Sequence, residues 1–235
     1  MLFSIVIPAH NEAENLSVLL PRLYASLSSL SADFEMLVIN NASTDNTDRV
    51  VRAYAQTMSQ LRCINEPTLG YGRAVLAGLQ KTEGEYIGIM RSDNQEKPED
   101  LCRMFTEIQK KNLSFYKGVR THRMNDGVDR VIISFFYNIL FKLLFGLQSR
   151  DLNATPKIFT REFLNAARLE SEDWFIDAEM VIKAEKLGYA VGETDVAYLP
   201  RLNGKSKVRL RHVFEFLSNM LKWHSRIIHG RLLEE

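Results

Sequence analysis

Cysteine is almost missing from this 235-residue chain, which has two, Cys63 and Cys102. They lack metal-ligand spacing and read as small buried hydrophobes in a reducing compartment. Charge of one sign is missing as well: a net charge of +1 argues against a general nucleic-acid binder. A basic leader with a cleavage site is absent before "LFSIVIPAHNE", so no signal peptide is expected. No repeat, low-complexity stretch or linker interrupts the chain. With 46% hydrophobic and 25% charged residues, it is composed like a folded protein with a sizeable core.

What is present alternates. "LFSIVIP", "FEMLVIN", "LRCIN", "EYIGIM" and "LSFYKGV" are short apolar runs of strand character. Between them lie the helical stretches "AENLSVLLPRLYASLSSL", which Pro21 should bend, "TDRVVRAYAQTM", "GRAVLAGLQKT" and "PEDLCRMFTEIQKK". Strand and helix at this spacing predict βαβ units and a mostly parallel sheet flanked by helices, an α/β fold. The pattern is less regular from about residue 120.

Ligands of an open parallel sheet bind beyond the carboxyl ends of its strands. Pro8-Ala9-His10-Asn11-Glu12 follows the first run and Asn40-Asn41-Ala42-Ser43-Thr44-Asp45 the second. Glu66 and Gly70-Tyr71-Gly72 follow the third, and Arg91-Ser92-Asp93-Asn94-Gln95 the fourth. Each cluster alone is a turn or a helix cap. Four on one edge predict a site.

"SIVIPAHNEAENL", "NNASTDNT", "GYGRAVLAGL", "GEYIGIMRSDNQ", "DWFIDAEM" and "RLNGKSKVR" occur in an order that resembles family 2 glycosyltransferases of GT-A fold. Within them the chain looks most like dolichol-phosphate mannose synthases and bacterial polyprenyl-phosphate glycosyltransferases. The resemblance implies one GT-A domain over 1–235. Residues 1–119 would bind the nucleotide sugar, 120–209 the acceptor, and 210–235 would form an amphipathic C-terminal helix. It also implies inverting transfer of a sugar from a nucleotide diphosphate to a polyprenyl phosphate, serving cell-envelope glycan synthesis.

A departing diphosphate needs its charge neutralised, and Mg²⁺ or Mn²⁺ held by one or two carboxylates can do this. The family's Asp-x-Asp-x-Gln matches Asp93 and Gln95 as metal residues, but its first Asp is Arg91 here. That arginine either adds positive charge near the diphosphate or turns to the surface to pair with Glu96, the reading preferred on sequence. Pro8, His10, Glu12, Asn40, Asn41, Gly70 and Ser92 are the expected nucleotide-binding residues. Asn40 stands where relatives often have Asp, and its amide can accept or donate, so the base stays open. His10, where many relatives have Tyr, either stacks on a base or is a plain turn residue.

For the acceptor phosphate the resemblance points to Arg120, Arg130 and Ser134, with Arg201, Ser206 and Lys207 closing over the diphosphate. Asp151 and Asp177 match carboxylates lining the sugar site and join Asp93 as catalytic candidates; Asp177 is the first candidate base for a hydroxyl acceptor. Lys205, Lys207, Arg209 and Arg211 would share one face of an extended chain. Val131–Leu147 holds 13 apolar residues in 17, short of the roughly 20 a span needs, and reads as a core helix, a dimer seam or an in-plane anchor. A second basic amphipathic helix, "RHVFEFLSNMLKWHSRIIHGRLL", carries Trp223 suited to a headgroup layer. A cytoplasmic enzyme peripherally attached to a membrane is expected, with a homo-oligomer left open and no nucleic-acid partner. The alternatives are a saccharide or small-molecule hydroxyl acceptor, and a degenerate GT-A module that only binds a partner.

Overall fold

The computed structural model describes residues 1–121, 139–200 and 210–229, the last with its side chains from 218 onward. Strands β1 (Leu2–Ala9), β2 (Asp33–Asn41), β3 (Leu61–Glu66), β4 (Tyr86–Ile89), β5 (Phe115–Thr121), β6 (Lys157–Thr160) and β7 (Val191–Ala197) form one sheet in the order β3-β2-β1-β4-β6-β5-β7. Pairing is parallel except at β6, which runs antiparallel to both β4 and β5. The first five strands lie where the apolar runs predict them. Lys157–Thr160 is too short a segment for periodicity to reveal.

Side chains alternate across β1 and β2, and each face is covered. Phe3, Ile5, Ile7, Met36 and Val38 pack under α1 (Ala13–Ser28), α2 (Thr47–Ala55) and α4 (Pro98–Lys110). Val6, Leu37 and Ile39 face α3 (Tyr71–Leu79), a helical run over 139–145 (α5), α6 (Arg161–Ala167), α7 (Ile176–Lys186) and α8 (Leu210–Ile228). Pro21 leaves α1 unbroken. A proline removes one helical N–H and so strands the carbonyl four residues earlier. Here that is Ser17, and the Tyr54 hydroxyl donates to it at 3.0 Å.

Two sequence expectations fail in the C-terminal third. Trp223 does not reach a headgroup layer: it is 2% exposed, in the core against Phe175 with a ring separation of 5.8 Å. Ten apolar residues among the 19 of α8 permit either role in sequence, and packing on the Phe175 ring decides it. Arg211 belongs to α8, so an alternating extended strand of cations stops before it. Cys102 is buried as expected and Cys63 only half-buried, and burial pushes both thiols up to about 11.

Trp223→Ala is expected to lower unfolding free energy by about 3–5 kcal/mol in urea denaturation, as for large core aromatics. A loss below about 1 kcal/mol would mean that α8 does not dock on the sheet.

Candidate active site

The four strand-end clusters do converge. Loop geometry is set by residues in left-handed backbone, Asn11 (φ 52), Ala42 (φ 50), Asn94 (φ 58) and Asp151 (φ 45), conformations uncommon outside glycine. Asn11 ties the first loop to the second: its Oδ1 accepts from the Thr44 and Asp45 amides at 2.7 and 3.3 Å. The Glu12 amide donates to Thr47 Oγ1 at 2.9 Å, and Glu12 accepts from Asn15 at 2.5 Å. His10 Nδ1 lies 2.7 Å from the Asn41 carbonyl, which can only accept, so Nδ1 carries the proton. Asn41 in turn holds the third loop, donating to Thr68 O at 2.7 Å and accepting from the Gly70 amide at 2.9 Å. Asn40 spends its NH₂ on Asn65 Oδ1 at 3.0 Å.

Gly72 lets the third loop touch the segment before α7. A Cβ there would sit 2.3 Å from Ser171 O, closer than any side chain tolerates. Beside it Tyr71 stacks on Trp174 at 4.4 Å, with its hydroxyl buried next to Asp177.

The polar run after β4 is absorbed by its neighbours. Ser92 Oγ donates to Pro8 O at 2.9 Å, and Asn94 donates to Asn15 O at 2.8 Å. Gln95 donates to Leu199 O at 3.1 Å and accepts from the Tyr198 hydroxyl at 3.0 Å. Asp93 is 5% exposed and accepts from the Gln95 amide at 3.2 Å.

Arg91 is not a surface arginine. It does approach Glu96, at 4.0 Å, but in the interior, with its side chain 18% exposed. It donates to Asn153 O at 3.0 Å and lies 3.7 Å from the Asp177 carboxylate. Lys157 donates to the other oxygen of Asp177 at 2.8 Å, and both groups are buried. A solvated face is the ordinary fate of arginine; here two buried carboxylates supply the counter-charge that overrides it. Burial pushes the Glu96 carboxyl up to about 7, against the pull of Arg91 and a hydrogen bond from Thr155.

The predicted phosphate ligand Arg120 and the predicted sugar-site carboxylate Asp151 meet each other, at 2.8 and 2.6 Å, in a two-pronged pair. Arg130, Ser134, Arg201, Ser206 and Lys207 lie outside the described residues. Sequence reasoning missed Lys157, Lys117, Asn153 and Tyr198, and named Tyr71 only as part of a strand-end loop. A lysine inside the apolar runs "FYKGV" and "TPKIF" is the one signal that could have found two of them.

Among the described residues no group of three or more His, Cys, Asp or Glu side chains is arranged to hold a metal ion. Asp93 and Gln95 are hard oxygen donors, suited to Mg²⁺ or Mn²⁺ when substrate phosphates complete the shell. The chemistry of the donor set therefore fits a cation bound together with a diphosphate.

The model of glycosyl transferase family 2 matches residues 4–169. The chain belongs to that family. It is 26% identical over 223 residues to the dodecaprenyl-phosphate galacturonate synthase of Rhizobium johnstonii, covering 93% of this chain and 65% of that one. It is also 26% identical to the dolichyl-phosphate beta-glucosyltransferase ALG5A of Trichomonas vaginalis, covering 93% and 72%. Glucosyl-3-phosphoglycerate synthase from Mycobacterium tuberculosis, crystallised with uridine diphosphate, superposes with a TM-score of 0.70 at 17% identity, covering 95% of this chain and 80% of that one. The same enzyme with Mg²⁺ and uridine diphosphate gives 0.68 at 17% identity, covering 98% and 79%. The fold is the GT-A arrangement of this family.

The Glu96 carboxyl, at about 7 against an ordinary 4.5, binds its proton more tightly when folded. Its stabilisation is complete below pH 4.5 and is lost as pH rises through 7. Glu96→Gln should flatten this part of a stability–pH curve; an identical slope in the variant would show that another group titrates.

Proposed function

We propose that the chain is an inverting glycosyltransferase that moves a sugar from a nucleotide diphosphate to a polyprenyl phosphate at the cytoplasmic face of a membrane. The observation that carries this reading is the state of Asp177. A hydroxyl acceptor needs a base, and Asp177 was the first candidate. A proton delivered to it would unpair the Lys157 ammonium at 2.8 Å and weaken the hold on Arg91. A phosphate monoester needs no such base, because its second pKa is about 6 and it is its own nucleophile. Two relatives named for polyprenyl- and dolichyl-phosphate transfer support the same acceptor class.

In this reading Asp93 and Gln95 hold a divalent cation, which when bound neutralises the charge of the departing diphosphate. Asn41 fixes the loops against which the nucleotide lies, with Pro8, His10, Glu12, Asn40, Gly70 and Ser92 around it. Asp151 and Asp177, each held by a buried cation, serve as fixed acceptors for sugar hydroxyls, and Arg120 is held in line by Asp151. Arg130 and Ser134 take the acceptor phosphate, and Arg201, Ser206 and Lys207 close over the diphosphate. No helix among the described residues is long and apolar enough to cross a membrane, which fits peripheral attachment.

Paired donor and acceptor titrations on Arg130→Ala test the acceptor. A charge-assisted contact contributes about 1.5–3 kcal/mol, so half-saturation by polyprenyl phosphate should rise roughly tenfold to a hundredfold. Donor affinity should stay within about twofold. Weakened donor binding with unchanged acceptor dependence would contradict the assignment. A silent Arg130→Ala, with turnover on a saccharide hydroxyl, would favour the hydroxyl-acceptor alternative.

A further inference from the structure

Tyr198 is the first residue beyond β7, and the register of the sheet decides where it stands. β5 and β7 pair in parallel, with Arg120 beside Val196 and Thr121 beside Ala197, so the two strands end together. β6 runs antiparallel to both β4 and β5, which makes β4 and β5 parallel to each other. The carboxyl ends of β4, β5 and β7 therefore share one edge, the edge that carries Arg91 to Gln95. The end of β7 is pinned there. The Ala197 amide donates to Asp100 Oδ2 at 3.2 Å, and Thr121 Oγ1 donates to Val196 O at 3.0 Å.

From that position Tyr198 reaches two residues of the site at once. Its hydroxyl meets Gln95 Oε1 at 3.0 Å, while Gln95 Nε2 donates to Leu199 O at 3.1 Å. A backbone carbonyl can only accept, so Leu199 fixes which end of the amide is nitrogen. The phenol must then be the donor to the other end. The Leu199 amide also donates to Gln95 O at 2.9 Å, so backbone and side chain are tied together. A carbonyl oxygen has two lone pairs, and a hydrogen bond to one of them does not bar a cation from the other. The ring of Tyr198 lies 5.3 Å from the Arg120 guanidinium, whose N–H groups are taken by Asp151. Arg120 thus has two holders, a carboxylate and an aromatic ring.

We propose that Tyr198 is a positioning residue with two separable parts. Its hydroxyl sets the direction of the Gln95 carbonyl oxygen toward the divalent cation, and its ring holds Arg120 for the acceptor phosphate. This rests on the roles read above for Gln95 and Arg120.

Tyr198→Phe removes the hydroxyl and keeps the ring; Tyr198→Leu removes both. Mn²⁺ binding by the full chain is followed by the paramagnetic resonance of the free ion, with UDP or GDP present. Acceptor dependence is followed by turnover against polyprenyl phosphate. Groups that orient a metal ligand typically change metal affinity about tenfold to a hundredfold, so Tyr198→Phe should bind Mn²⁺ at least about tenfold more weakly. Its half-saturation by polyprenyl phosphate should match the wild type. Tyr198→Leu should show the same Mn²⁺ loss and also raise acceptor half-saturation roughly twofold to fivefold. The hydroxyl makes one neutral hydrogen bond, so Tyr198→Phe should melt within about 4 °C of wild type.

Equal Mn²⁺ binding by Tyr198→Phe and wild type overturns the role of the hydroxyl. A larger fall in melting temperature overturns it as well, making the hydroxyl a stability element. Equal acceptor half-saturation in the two variants overturns the role of the ring. A wild type that takes up no Mn²⁺ with either nucleotide contradicts the cation reading itself, and the assignment of the hydroxyl falls with it. Absent turnover on polyprenyl phosphate, in a wild type that binds Mn²⁺, counts against the acceptor reading and the role of the ring alone.

Discussion

A carboxylate buried between two cations organises this protein's site. Asp177 stands in the first turn of α7, where the positive end of the helix favours an anion. Lys157 reaches it at 2.8 Å from β6, and Arg91 at 3.7 Å from the loop after β4. Three separate elements therefore have to arrive together. A buried ion pair gives little net stability against an apolar alternative, but removing one partner leaves an uncompensated charge that costs several kcal/mol. The arrangement fixes geometry more than it adds stability. Lys157 comes from β6, the strand that runs antiparallel between β4 and β5.

The same logic repeats one strand over. Lys117 of β5 is the cross-strand partner of Lys157, and two buried lysines side by side would repel. Each has its own carboxylate, Glu193 at 3.5 Å for Lys117 and Asp177 for Lys157. Burial still drives the Lys117 ammonium down to about 8. Next to it Arg120 and Asp151 form a third ionic couple, with the Tyr198 ring 5.3 Å from the guanidinium. Four chain segments that carry the expected sugar and phosphate residues are thus locked by charge before any substrate binds, which is what preorganisation requires.

Much of this was legible in residue order. Apolar runs of four to eight residues with helical stretches between them give β1 to β5 and α1 to α4, because local periodicity suffices for βαβ units. The edge on which polar clusters meet follows from the parallel direction of those strands. Arg91 was misplaced because its environment is built by Asp177, Glu96 and Asn153, up to 86 positions away in a chain whose numbering alone conveys no contact. Trp223 was misassigned for a related reason: a basic amphipathic helix looks alike whether its apolar stripe meets lipid or the Phe141–Phe145–Phe175 wall. Lys117 and Lys157 were readable in principle, since a lysine inside an apolar strand needs a buried partner, but which partner depends on the fold.

The central claim is that Asp177 and Lys157 act as one buried ionic unit. A double-mutant cycle on unfolding free energy with Lys157→Met, Asp177→Leu and the combined variant measures it directly. Each single change should cost about 3–5 kcal/mol and the double change far less than their sum, a coupling of about 2–3 kcal/mol. Additivity within about 0.5 kcal/mol would contradict the account.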